Sequence, residues 1–470
     1  MKLRQRLGTI GIMIAMLFLI LYCEKKHGKG EPLPDYSSYS APLAPEWVRN
    51  GVLYEIYIRA FTPEGTFRAA IKRLDALQEL GVNILWLMPI YPIGEKGRKG
   101  TLGSPYSVKD FRKINPEFGT EADFRAFVQA AHQRGMKVIL DMVPNHGAND
   151  NILMADHPDW FMRDEAGNFT REVADWSDIT DFNYDHPDMR RYMQETMQYW
   201  IREFGIDGYR CDVAGMVPLD FWEETLPMLR KLKPTIYLLA EWEDPKLLRA
   251  GFHSDYDWTL FHLLKDIRKK KKRTAEAVQL VFEKDSRYPQ NALPMRFLEN
   301  HDEPRSLKTF GPAAIEAYAS FIFSLPGLPL IYAGQEIGET VRPSLFEKFT
   351  IHWQEGDTAL FRMYQRLIQW RKQHAVLRNG EFIPLGVATF KGSVGAFLRR
   401  NDRELALVIT NLWPDFAEKV VVTLPEPLKN SLATLQLYRV DHPEERLSLS
   451  EMVFDEFPPF TTWIYVGTHH

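Results

Sequence analysis

The chain has 470 residues, 45% of them hydrophobic and 26% charged, with a formal net charge of −4. This is the composition of an ordinary soluble globular protein with room for two or three domains, and it offers no basic surplus for a nucleic-acid partner. The only cysteines, Cys23 and Cys211, leave no disulfide framework, and the 13% of aromatic residues suits either large cores or stacking on flat apolar faces.

Lys2, Arg4 and Arg6 precede an uncharged apolar run from Gly8 to Tyr22, and Cys23 follows it. A run of about 15 residues is short for a membrane span and suits a signal-peptide core. With Cys23 at its end it resembles a bacterial lipoprotein signal (residues 1–22) in which that cysteine becomes the lipidated first residue. Tyr22 departs from the small residue usual there, and an uncleaved signal anchor is the alternative. Either implies export to the cell envelope and attachment to a membrane. Residues 23–50 are polar and proline-rich and read as a tether.

From Leu53 the pattern is strand then helix, repeated. Predicted strands are Leu53–Arg59, Asn83–Met88, Lys137–Val143, Gly205–Asp212, Ile236–Ala240, a weak sixth at Tyr256–Leu260, Met295–Leu298 and Leu330–Tyr332. Predicted helices include Thr66–Leu80, Thr120–Arg134, Met189–Phe204, Leu219–Leu232, a basic helix containing Arg268–Arg273 that reads as a solvated face, Ala313–Ser324 and Thr358–His374. Residues 147–187 break the rhythm with a long polar excursion, which inside a compact domain signals function. Eight strand–helix units over residues 51–377 predict an α/β fold, a closed parallel (β/α)8 TIM barrel with its site at the strands' C-terminal ends. Short alternating runs in residues 378–470 predict a C-terminal antiparallel β-domain.

Those strand ends carry the chemistry. Strand three delivers Asp141, Asn145 and His146, strand four Arg210 and Asp212, strand five Glu241, and strand seven Asn300, His301 and Asp302. Converging so many acids on one mouth is costly without a function. Glycoside hydrolysis requires two such carboxylates, a nucleophile and a proton donor. Arg210 lies two residues from Asp212, on the same face of the strand, and is expected to hold that carboxyl ionised at a lowered pKa. An apolar wall at Ala240 and Trp242 is expected to raise Glu241 into the range of a general acid. Neither metal-ligand histidine spacing nor a phosphate-binding glycine loop is present.

The motifs DMVPNH (141–146), GYRCDVAGM (208–216), Ala240-Glu241-Trp242 and FLENHD (297–302) resemble those of the α-amylase family of glycoside hydrolases, with lesser matches at ITDFN (179–183), LPGLPLIYAGQE (325–336) and ILWLMPIYP (84–92). The resemblance implies Asp212 as nucleophile, Glu241 as acid/base and Asp302 as a third carboxylate that grips sugar hydroxyls. It implies sugar contacts from His146, His301 and Tyr106, with Arg210 orienting Asp212, Asp141 supporting the mouth and Trp242 beside the acid. The excursion corresponds to the family's domain B and the tail to its β-sandwich. The implied reaction is cleavage of α-1,4-glucosidic bonds in starch-derived glucans or maltooligosaccharides, with retention through a covalent glycosyl-enzyme and no cofactor. Calcium-binding members hold the ion where Asn145 and Asp181 stand here; members without it keep the same letters, and Asn145 reads equally as a tie for its loop. Gly215 and Met216 replace a Lys-His pair of many starch-degrading members, which leaves open a transglycosylase or a cyclomaltodextrinase- or neopullulanase-like enzyme. A catalytically silent, membrane-anchored binding protein is the alternative of another class, and it would typically lack acids that are all present here.

Overall fold

In the computed structural model, residues 34–389, 392–432 and 435–468 are described. The signal-like segment and Cys23 lie outside them. Among the described residues no helix is long and apolar enough to cross a membrane.

Seven parallel strands form one sheet: Leu53–Ile56, Ile84–Leu87, Lys137–Met142, Gly208–Cys211, Tyr237–Ala240, Met295–Arg296 and Leu328–Tyr332. Taken by barrel position, counting an expected sixth, their order is five, four, three, two, one, eight, seven. The two open edges are joined by residues 254–256 through parallel bridges from Leu239 to Ser254 and from Tyr256 to Met295. The sixth strand is therefore shorter and earlier than Tyr256–Leu260. Asp257 caps a helix over Trp258–Arg268, its side chain accepting from the Leu260 N–H, so the chain has turned helical where the strand was expected.

The barrel interior is layered by the two-residue period of the strands. Leu53, Ile84, Trp86, Ile139, Tyr237, Leu239, Phe297, Leu328 and Leu330 form one apolar cluster inside it. Inward positions nearer the C-terminal ends hold Glu55, Asp141 and Arg210, all buried. Gly208 lies below Arg210 in the fourth strand; a Cβ there would come within 2.0 Å of the Tyr237 carbonyl oxygen, so the glycine allows strands four and five to approach. The preceding helix, Pro187–Phe204, buries Met189, Met193, Met197, Trp200 and Phe204 on one face. It ends at Gly205, whose φ of 68° supplies the left-handed turn that feeds the fourth strand.

Two expectations fail for identifiable reasons. The proline-rich segment is no free tether in its described part. Ala44 and Val48 are buried in the cluster inside the barrel, Trp47 packs edge-on against Tyr237, and the Ala41 N–H donates to the Gln290 carbonyl. Apolar residues spaced between prolines close the bottom of the barrel. The basic run is solvated as expected, with Lys269, Lys270, Lys271 and Lys272 exposed, but it is not helical, since helix Trp258–Arg268 stops at its first residue and the next begins at Thr274. Between them Arg273 stacks 4.0 Å from the Trp413 ring centre and the Trp413 indole N–H donates to the Lys272 carbonyl. The run thus fastens the barrel to the C-terminal unit.

That unit has a six-stranded antiparallel sheet, in the order Glu381–Pro384, Val394–Arg400, Glu404–Asn411, Thr461–Thr468, Gln436–Arg439 and Arg446–Ser448, and a three-stranded sheet of Gly386–Ala388, Ala417–Thr423 and Val453–Phe457. They share a core that includes Val394, Leu405, Leu407, Val420 and Phe457. One helix, Glu426–Leu432, interrupts the expected run of strands. The excursion after the third strand folds as a small unit around paired strands His146–Ala148 and Ile179–Asp181.

Candidate active site

Arg210 is the centre of the mouth and is fully buried. Its Nη1 donates to Asp141 Oδ1 at 2.7 Å and to Asp212 Oδ1 at 2.8 Å. Its Nη2 lies 2.6 Å from Glu241 Oε1, an ion pair without hydrogen-bond alignment. Its Nε donates to the Tyr256 hydroxyl at 3.1 Å. One guanidinium therefore ties together acids from strands three, four and five. The planar fork of arginine, with donors fixed in direction, suits this better than a lysine could.

One positive charge shared by three buried acids does not neutralise them. Burial is the largest influence on Asp212 and raises it to about 7; Arg210 opposes this while Asp141 and Asp302 reinforce it. The expected lowering of Asp212 by its neighbouring arginine is thus overturned, because burial first, and then the charges of Asp141 and Asp302, outweigh the pull of Arg210. Glu241 is likewise raised to about 7, by burial first, as its apolar surroundings led one to expect. Its Oε2 accepts the Val213 N–H at 2.7 Å. Val213 adopts a φ of 37°, a left-handed conformation costly for a β-branched residue, directly after Asp212. That turn sends the Val213 amide toward Glu241 and links the ends of strands four and five.

A second group adjoins the first. Tyr106 donates its hydroxyl to Asp141 Oδ2 at 3.1 Å and stands 2.8 Å from His301 Nε2, with its ring stacked on the imidazole. His301 Nε2 is also 3.1 Å from Asp302 Oδ2. Asp302 is the open member of the site, its side chain 32% exposed. Asn300 shapes the turn by accepting the backbone N–H groups of Asp302 and Glu303. His146 is buried on the excursion side, where burial lowers its pKa and keeps the ring neutral, and Trp176 packs 5.4 Å from it. Trp242 lies against Gly215, where any Cβ would come within 2.3 Å of the indole. The departure at Gly215 therefore has a local cause, since the space a side chain would need is filled by the residue beside Glu241.

All the residues expected at the mouth come together there. Four more were not singled out from the sequence. Glu55 meets His301 Nδ1 at 2.5 Å, Trp86 donates its indole N–H to Asp141 at 3.2 Å, Tyr256 meets Arg210, and Trp176 faces His146. Glu55 had a readable signal: an acid at an inward position of the otherwise apolar run Leu53-Tyr-Glu-Ile56. Cys211 is buried with its thiol pushed up by burial, which fits a packing role.

Asn145 and Asp181 also meet, Asn145 Nδ2 donating to Asp181 Oδ1 at 3.3 Å, while the second oxygen of Asp181 accepts the Glu172 N–H at 2.7 Å. Calcium takes six to eight oxygens, and here the two side chains satisfy each other. Asp181 is the one carboxylate of this pair, and among the described residues it belongs to no cluster of three or more His, Cys, Asp or Glu ligand atoms. Nearby Asp178 is paired with the Lys99 ammonium at 3.1 Å. As arranged, this donor set does not fit calcium and does fit a tie for the loop after strand three.

The family model "Alpha amylase, catalytic domain" matches residues 36–358. The α-amylase MalA of Haloarcula japonica is 32% identical over 403 residues, 81% of this chain, which spans 58% of the length of that relative. A cyclomaltodextrinase of a Bacillus species is 28% identical over 78% of this chain and 73% of its own. The crystal structure of a maltogenic α-amylase, AmyB, from Thermotoga neapolitana superposes with a TM-score of 0.83 at 33% identity, covering 90% of this chain and 100% of that one. With a family model over most of the chain and a barrel whose four strand-end motifs meet at one mouth, the chain belongs to the α-amylase family of glycoside hydrolases.

Proposed function

We propose that the protein hydrolyses α-1,4-glucosidic bonds of maltooligosaccharides and related starch-derived glucans, with retention, through a covalent glycosyl-enzyme. The observation that carries the reading is the binding of Asp212 and Glu241 to the two terminal nitrogens of one guanidinium. That arrangement favours a close pair of carboxyls, about 5–5.5 Å apart in retaining enzymes, over the wider spacing that admits a water between them in inverting ones.

In this mechanism Asp212, held and oriented by Arg210, attacks the anomeric carbon while protonated Glu241 gives its proton to the departing glycosidic oxygen. Glu241 then takes a proton from the water that releases the sugar from Asp212. Asp302, His301 and His146 hold the sugar hydroxyls, and Tyr106 stacks on the ring. Trp242, flat against Gly215, shapes the wall beside the acid. The names of related maltogenic amylases and cyclomaltodextrinases support short maltooligosaccharides and cyclodextrins as substrates.

Asp212→Asn and Glu241→Gln should each lower kcat on maltoheptaose by on the order of 10³-fold or more while leaving the circular dichroism spectrum unchanged. Near-normal turnover in both would remove these residues from the chemistry.

The pH profile follows from the same pair. The nucleophile must be ionised, and with Asp212 raised to about 7 its active form is lost as pH falls. The acid must be protonated, and with Glu241 also raised to about 7 its active form is lost as pH rises. Because the two share Arg210, the apparent values belong to the pair, which holds one proton near neutrality. Initial rates of kcat/KM should trace a bell with its maximum near neutral pH; a plateau extending well to the alkaline side would contradict the role of Glu241.

We also propose that the protein is exported and held at a membrane through Cys23, a reading carried by the Lys2–Cys23 segment alone. Expressed in a bacterial host, the Cys23→Ser variant should move from the detergent phase to the aqueous phase on Triton X-114 partition. Unchanged partitioning would favour an uncleaved anchor over a lipid.

A further inference from the structure

Glu55 is fully buried on the first strand, facing the barrel interior, and nothing in the reaction scheme above uses it. Its Oε1 lies 2.5 Å from His301 Nδ1, and its Oε2 has no hydrogen-bond partner. A carboxylate placed there as mere filling would be expensive, since a buried acid needs a compensating cation or donor. The imidazole of His301 is the partner within hydrogen-bond reach.

Two carboxylates flank the imidazole of His301. Nδ1 faces the Glu55 carboxylate, which accepts. Nε2 faces Asp302 Oδ2 at 3.1 Å and the Tyr106 oxygen at 2.8 Å. Tyr106 stands between Asp141 Oδ2 at 3.1 Å and His301 Nε2 at 2.8 Å, and its one hydroxyl proton can serve only one of them. Glu55 stands against Nδ1 and Asp302 lies at ion-pair distance from Nε2, so carboxylates flank both ring nitrogens and a proton on each complements them. We propose that Glu55 is a positioning residue that fixes His301 as a doubly protonated imidazolium, whose positive charge in turn holds Asp302 beside Tyr106 for the sugar in the cleaved subsite.

The groups facing the imidazole support this from every side. Glu55 comes from the first strand, Tyr106 from the loop after the second, and Asp302 from the same turn as His301; Asp141 and Arg210 act from strands three and four, and Trp86 meets the ring edge-on at 5.8 Å. Burial and Arg210 lower the His301 pKa, but Asp302 and Glu55 outweigh them and raise it to about 9, so the cation persists through neutral pH and is lost as pH rises through that value. Without the charge of Glu55 the ring would lose its Nε2 proton at lower pH. The nitrogen lone pair would then face the lone pairs of Asp302 and push that carboxylate out of position.

The proposal rests on the assignment of Asp302 and His301 to sugar binding, and the decisive experiment separates the two. Glu55→Gln keeps the shape and an acceptor for Nδ1–H while removing the charge. Imidazole ¹⁵N resonances of His301, assigned with His301→Gln, should remain those of an imidazolium up to about pH 8 in the parent protein and should titrate below that in Glu55→Gln. In parallel, KM for maltotriose should rise about tenfold between pH 6 and pH 8 in Glu55→Gln relative to the parent, with kcat following the parent profile. A neutral His301 near pH 7 in the parent, or identical titrations in parent and variant, overturns the role of Glu55. If the parent cleaves no α-glucan, the functional reading fails and the imidazole titration still decides the proposal. If Glu55→Gln does not fold, the parent titration alone decides it.

Discussion

Everything at the mouth of this barrel depends on one buried guanidinium. Arg210 supplies contacts to Asp141, Asp212, Glu241 and Tyr256, so four strand ends are tied through a single planar group. Removing it would leave Asp141, Asp212 and Glu241 buried without their ion-pair partner, which costs far more than the pairings are worth in net stability. The fold makes this arrangement possible from below. An apolar lumen and a glycine at position 208 let strands four and five approach, and a strained turn at Val213 aims its amide at Glu241.

The undersized positive charge is functional in this view. A site with a cation for every acid would hold all its carboxylates ionised and have no proton to give. Here burial lifts Asp141, Asp212 and Glu241 together, and the arginine only partly offsets it. Near neutrality the cluster retains a proton that it can lend to a leaving group. His301 adds a second positive charge at the edge of the site, where Asp302 stays open to solvent and to substrate.

How much of this was legible beforehand varied with the physics involved. The barrel and its mouth were readable because strand period, helix stops and acids at strand ends are local patterns, and four separate motifs agreed. The sixth strand was misplaced because it is only a pair of bridges between residues 254 and 256, too short to leave a periodic signal. The segment before Leu53 looked like a linker because its prolines dominate composition, although Ala44 and Val48 fill the base of the barrel. The direction of the Asp212 shift was misjudged for another reason. A sequence shows that an arginine is two residues away, but it shows neither how deeply Asp212 is buried nor that Asp141 lies beside it. Glu55 escaped notice as a site residue because its partner His301 is 246 positions distant.

The most direct test of the central claim is the configuration of the first sugar released. Proton NMR of the reducing-end anomeric signals during early hydrolysis of a maltooligosaccharide distinguishes the two courses open to a pair of carboxylates. If Asp212 and Glu241 act as nucleophile and acid/base on one guanidinium, the α-anomer should appear first, with the β-anomer growing only as mutarotation proceeds. Initial release of the β-anomer would contradict that arrangement.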